Sequence, residues 1–234
     1  MNPSPAIFYV LCILVPVIAT AVALVAGGPL RRLYVGGSRL LLGALMLGGG
    51  LYKLSDNHLP GLMGPPLDHA FLAEHSLEIF AQFIGVAQLL IGLLLLSVRF
   101  SLLGAVLMVP MWLNIIFLTW SQHWTGTPFL TTGFLVLNIG LLLHDYPRLK
   151  WLLYPPADAA GFQTQRLYTA PLPIEILWWL GIAVVIIGGL LYRISLRTMT
   201  STMLLGAAIL VGATVWHYFL KRQHRMQKPS IAQS

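Results

Sequence analysis

Lys53 and Glu78 are the residues of this sequence best placed to do chemistry. Lys53 closes the apolar run SRLLLGALMLGGGLYKL, Glu78 opens the next, EIFAQFIGVAQLLIGLLLLS, and between them lie Asp56, His58, Asp68, His69, Glu74 and His75. An ionisable side chain beside hydrocarbon is costly, which makes it a functional-site candidate by default. The Lys53 ammonium offers a charged donor to a quinone oxygen or an anionic substrate; the competing role is a lysine snorkelling from a helix end. His75, Glu78 and Gln82 stand three, four and seven residues apart, the spacing of one helical stripe. A carboxylate, an imidazole and an amide on one stripe can relay a proton or grip a quinone. The competing role for Glu74 and Glu78 is to complement the positive end of a helix dipole.

Other polar residues bear weaker signals. His69, His75, Glu74, Asp68 and His123 own donor atoms suited to zinc or copper, but no H-x-x-x-H or H-E-x-x-H spacing joins them, and no metal is assigned. His144 and His217 fall near span ends and do not by themselves specify a haem. Gln88, Asn114 and Asn138 lie within spans, where an amide either bridges helices, at about 1 kcal/mol each, or lines a pocket. Asn114 follows Pro110 by one turn, and a proline kink opens space. The expected set is therefore Lys53, Glu78 and His75 for chemistry and Gln82, Gln88 and Asn114 for ligand binding. No phosphate loop, nucleophile elbow or helical metalloprotease motif appears. Cys12 is the sole cysteine, so an internal disulfide or C-x-x-C redox pair is ruled out.

The elements that must position these residues are membrane helices. Of 234 residues 57% are hydrophobic and only 9% charged, and the mean hydropathy is +0.80. Soluble domains carry about 25% charged residues. A span needs about 20 apolar residues to cross roughly 30 Å of hydrocarbon. Seven segments qualify: Ala6 to Ala26, Leu40 to Leu54, Leu77 to Val98, Phe100 to Trp120, Phe129 to Leu143, Ile174 to Tyr192 and Met203 to Leu220. The first has no basic leader and is too long for a signal peptide. The second is short and contains Gly48, Gly49 and Gly50, which let a neighbouring helix come close. Gly85 and Gly92 sit two turns apart on the third. Tyr146, Trp151 and Tyr154 among basic residues suggest an interfacial anchor.

The net charge of +7 follows topology rather than nucleic-acid affinity. With the amino terminus outside, one face holds Arg31, Arg32, Arg39, Arg99, Arg148 and Lys150, together with Arg166, Lys221, Arg222, Arg225 and Lys228. The other holds Lys53, Arg193 and Arg197. Eleven against three is a positive-inside pattern for seven spans ending inside. It puts Lys53 and His123 on the outer, periplasmic side of a bacterial inner membrane. Span two opens RLLLGALM and span four RFSLLGAVLM, a similarity that helix packing explains as well as duplication does.

Arg39-Leu40, Gly43, the glycine run with Gly50-Leu-Tyr-Lys53, and Gln88-Leu-Leu-Ile-Gly92 resemble the DoxX-like family of small bacterial membrane proteins. The likeness covers residues 38–146. It implies a four-helix bundle in spans two to five, with residues 1–37 an extra span and 147–234 an interfacial loop, two more spans and a basic tail. The family carries glutamate where this chain has Gln88, which cannot hold a charge. Family members are linked to quinone-coupled sulfur oxidation and to membrane complexes handling oxidative stress. The resemblance thus implies a redox-associated membrane protein with quinone as the expected ligand, and, if an enzyme, a quinone-linked oxidoreductase subunit with a membrane-protein or redox partner. The alternatives are a non-catalytic assembly subunit or a small-solute transporter.

Overall fold

The computed structural model describes residues 5–56, 58–59, 69–97, 99–153 and 171–226. Within them the chain forms α1 (Pro5–Ala26), α2 (Gly28–Leu54), α3 (His69–Glu74), α4 (Glu78–Leu96), α5 (Ser101–Ser121), α6 (Thr127–His144), α7 (Tyr146–Leu153), α8 (Leu172–Leu190) and α9 (Leu196–Met226), with a 3₁₀ turn at Leu191–Arg193. Seven of these helices are long and apolar enough to cross a membrane. The protein is an all-α polytopic membrane protein, as its composition demands. Asp68, the proline-rich stretch from Pro60 to Pro66, Tyr154, Arg166 and the tail beyond Met226 lie outside the described residues.

Two helices start earlier than hydropathy indicates. α2 begins at Gly28, so Arg31, Arg32 and Arg39 belong to its first three turns rather than to a loop. Only Gly27 separates it from α1. Gly27 and Gly28 both have positive φ, 65° and 52°, a conformation costly to residues with a Cβ. Pro29 then sits in the first turn, where its missing N–H is no loss. α9 begins at Leu196, because Ser195 caps it: the Thr198 N–H donates to Ser195 Oγ at 3.0 Å.

The chain divides into two units. Unit 1 contains α1, α2 through Gly50, α4 from Ala87, and α5, α6 and α7; unit 2 contains the last turn of α2, α3, the first turns of α4, and α8 and α9.

Unit 1 is knitted at its glycines. A Cβ on Gly92 would come within 2.9 Å of the Gly43 carbonyl, so α4 and α2 approach backbone to backbone. Gly104 of α5 meets the backbone of Leu95, and Gly133 of α6 lies against the Cys12 carbonyl of α1. Such contacts replace the hydrophobic drive that lipid removes. α1, set apart in the sequence as an extra span, thus packs on α6. Asn138 is fully buried and its Nδ2 donates to the Ala105 carbonyl at 3.1 Å, bridging α6 to α5. Unit 2 is dominated by the α8–α9 hairpin, where Gly181 faces Leu210, Gly188 faces Met203 and Gly206 faces Val185.

Candidate functional site

Unit 2 contains a cavity of about 920 Å³, lined by Lys53, Glu78 and Gln82. Three of the six residues singled out in the sequence therefore meet at one hollow. Asp56 and His58 join them from the turn after α2, and Tyr192, Arg193 and Ser195 from the turn between α8 and α9. The remaining wall is apolar, including Leu54, Leu72, Ala81 and Leu190. A hollow that sets convergent polar groups against an apolar wall is a form small-molecule sites take, and this one is richer in polar groups than most.

Gly85 explains how Lys53 arrives there. Glu78, Gln82 and Gly85 fall on one stripe of α4. A Cβ on Gly85 would be 3.0 Å from Leu54 Cγ and 3.3 Å from Lys53 Cβ. With no side chain at that point, the last turn of α2 lies directly on the stripe, and the Lys53 stem is half-buried. Among the described residues, Lys53, Glu78 and Gln82 make no hydrogen bond or ion pair. Their donors and acceptors stay available to whatever fills the cavity. Glu78, as the first residue of α4, also complements the dipole there.

His58 is held by a tight turn. Ser55 is fully buried; its Oγ accepts the Leu59 N–H at 2.9 Å and its carbonyl the His58 N–H at 3.0 Å. Asp56 takes a left-handed φ of 52°, which Asp tolerates better than most residues. His58 Nδ1 is 3.0 Å from the Asp56 carbonyl and 3.2 Å from that of Ser55. A bond to either carbonyl needs the hydrogen on Nδ1, and in that neutral tautomer Nε2 keeps the lone pair. Tyr192 Oη lies 2.7 Å from the same Nδ1. A phenol hydroxyl can accept from that nitrogen in this tautomer or donate to it in the other. The site thus holds two basic side chains, two carboxylates, an imidazole, a phenol, a hydroxyl and an amide.

Three expected site residues lie elsewhere. His75 does not line the cavity. α3 ends at Glu74 and α4 starts at Glu78, with Ser76 at a φ of 55° between them. The stripe of His75, Glu78 and Gln82 requires one continuous helix, and the break takes His75 off it onto an exposed turn. Asn114 is exposed on α5 rather than turned into a pocket, although α5 runs through Pro110 as one helix. Gln88 is buried in unit 1 beside Gly49, whose absent Cβ would be 3.2 Å from Gln88 Oε1. That oxygen has no hydrogen-bond partner.

Gln88 therefore carries a cost without a contact. Gln88→Leu is expected to raise stability by about 1 kcal/mol, since an unmet buried acceptor is removed, and to leave ligand affinity unchanged. Thermal melts in detergent and a ligand titration check both.

His58 was legible as a loop histidine but not as a site residue. The available signal was Ser55-Asp56, turn formers immediately after a helix, which fold the chain back on itself. Tyr192, Arg193 and Ser195 had no local signal; Tyr192 is 134 residues from the histidine it touches.

In unit 1, His123 is exposed at a φ of 55° beside a smaller hollow of about 180 Å³ whose other walls are Trp120, Trp124, Pro128 and Phe129. Among the described residues no three His, Cys, Asp or Glu side chains are grouped to hold a metal ion. The His69 side chain and Asp68, both considered above as ligands, are outside them. His144 is engaged by Arg31, whose Nε donates to Nδ1 at 2.8 Å. No family model, characterised protein or solved structure matches this chain.

Proposed function

We propose that this protein is a redox-associated membrane component that binds a quinone, or another small apolar molecule bearing carbonyl or hydroxyl oxygens, in the unit 2 cavity. The carrying observation is the convergence of Lys53, Glu78 and Gln82 with His58, Tyr192 and Arg193 on one hollow whose remaining wall is apolar. Lys53 and Arg193 donate to the ligand's oxygens. Gln82 and the Tyr192 hydroxyl orient the ring. Glu78 and the Nε2 of His58 exchange the protons that quinone reduction or quinol oxidation requires. Electrons come from a partner or from the substrate. The DoxX-like resemblance supports the redox assignment, and the eleven-to-three distribution of Lys and Arg supports an outer, periplasmic site in a bacterial inner membrane.

Native mass spectrometry of gently purified protein is the test. A retained quinone, lost on adding excess short-chain quinone analogue, is the expected result. Protein that retains no such molecule and shows no binding of the analogue removes the proposal. An assembly role has one observation in its favour, the exposed amide of Asn114 on an otherwise apolar face of α5. It is supported if Asn114→Leu releases a co-purifying membrane protein while ligand retention is unchanged.

A further inference from the structure

Unit 1 carries a second cluster that the quinone site does not use. Two adjacent residues at the end of α6 gather three arginines. Arg31 donates through Nε to His144 Nδ1 at 2.8 Å, Arg39 to Asp145 Oδ2 at 3.1 Å, and Arg148 to Asp145 Oδ1 at 3.1 Å. Asp145 is buried, 6% exposed, and both its oxygens are taken. His144 accepts from Arg31, which an imidazolium cannot do, so it adds no charge in this arrangement. Among the described residues three guanidiniums thus meet a single carboxylate, leaving two positive charges uncompensated.

Arginines placed for topology alone need no partners and stay hydrated. Here Arg31 and Arg39 are only partly exposed and are tied to residues more than a hundred positions away. A guanidinium has five N–H donors in a planar fork that matches phosphate oxygens. Among the described residues each of the three uses one. Arg31 and Arg39 are thus tethered, with most of their donors unused among the described residues. Arg32, the next residue of α2, is exposed.

We propose that this arginine cradle binds the phosphate of an anionic membrane phospholipid. The surroundings select a lipid over a free phosphate ion. Leu40, next to Arg39 on α2, is 65% exposed; Leu143, next to His144 on α6, and Ile139, one turn before it, are 50% and 43% exposed. Exposed apolar side chains running from the arginines along membrane-spanning helices are where acyl chains lie once the headgroup is held. Basic pockets between spans are the recognised means of capturing anionic headgroups.

The test is the thermal midpoint of the full chain in neutral detergent, titrated with dioleoylphosphatidylglycerol, dioleoylphosphatidylcholine or sodium phosphate. A saturable rise with phosphatidylglycerol only is expected. Arg31→Gln and Arg148→Gln, made separately, should each weaken that response about tenfold, the value of one charge-assisted hydrogen bond. Arg197→Gln, which removes a positive charge from α9, should leave it unchanged. Equal responses to both lipids, a full response to phosphate alone, or undiminished affinity in both cradle variants overturns the proposal. Native mass spectrometry of any variant that melts early reads the retained lipid directly and decides the matter independently of stability.

Discussion

Lys53→Ala lowers affinity for a short-chain quinone by about 10- to 100-fold, the worth of a charge-assisted hydrogen bond of about 1.5–3 kcal/mol. Lys53 is half-buried at the cavity and has no ion pair among the described residues, which leaves its donors available to a ligand. Stability should hold or rise, because an incompletely solvated, unpaired charge is removed. Lys53→Arg keeps the charge but not the compact ammonium, and only part of the affinity should return. Quenching of tryptophan fluorescence by added quinone measures both. An alanine variant that binds like the parent would show Lys53 to be a snorkelling residue and nothing more.

Gly133→Val loosens unit 1 by about 1–3 kcal/mol, the usual cost of forcing volume into a filled contact. A Cβ at this position collides with the backbone carbonyl of Cys12. A side chain could rotate away, but a carbonyl inside α1 cannot, so α1 and α6 must move apart. The control is Gly212→Ala on α9, where nothing lies within 4 Å of the added carbon; it should gain about 0.5–1 kcal/mol from helix propensity. Thermal unfolding in detergent should therefore shift down for Gly133→Val and slightly up for Gly212→Ala. Equal, small shifts would mean that α1 is not tightly packed on α6.

How much of this was readable in the sequence depended on range. Apolar length alone located seven spans, and Gly27, Gly28 and Pro29 marked the first corner. Helix starts at Gly28 and Leu196 were missed because arginines and polar residues look like loop by hydropathy, whereas their side chains are held by His144 and Asp145 in one case and the Ser195 cap in the other. Lys53, Glu78 and Gln82 were legible because helical spacing and a helix end are local properties. His75 failed for a local reason too: no strong breaker separates it from Glu78, and only the left-handed Ser76 shows that the helix restarts. Tyr192 and Arg193 were beyond reach, since no pattern in one segment announces a partner 134 residues away. The arginines read as markers of membrane side; the Asp145–Arg148 pair is local, but nothing near Arg39 in sequence indicated that the same carboxylate reaches it across 106 residues.

The glycine corner between α1 and α2 bears on how the protein is made. One residue of connecting chain ties the direction of the first span to that of the second, so the two are expected to enter the bilayer as a hairpin. α1 has no lysine or arginine of its own. Its direction across the bilayer is inherited from Arg31, Arg32 and Arg39 in the partner limb, and lengthening the corner with a flexible insert would release α1 to invert independently.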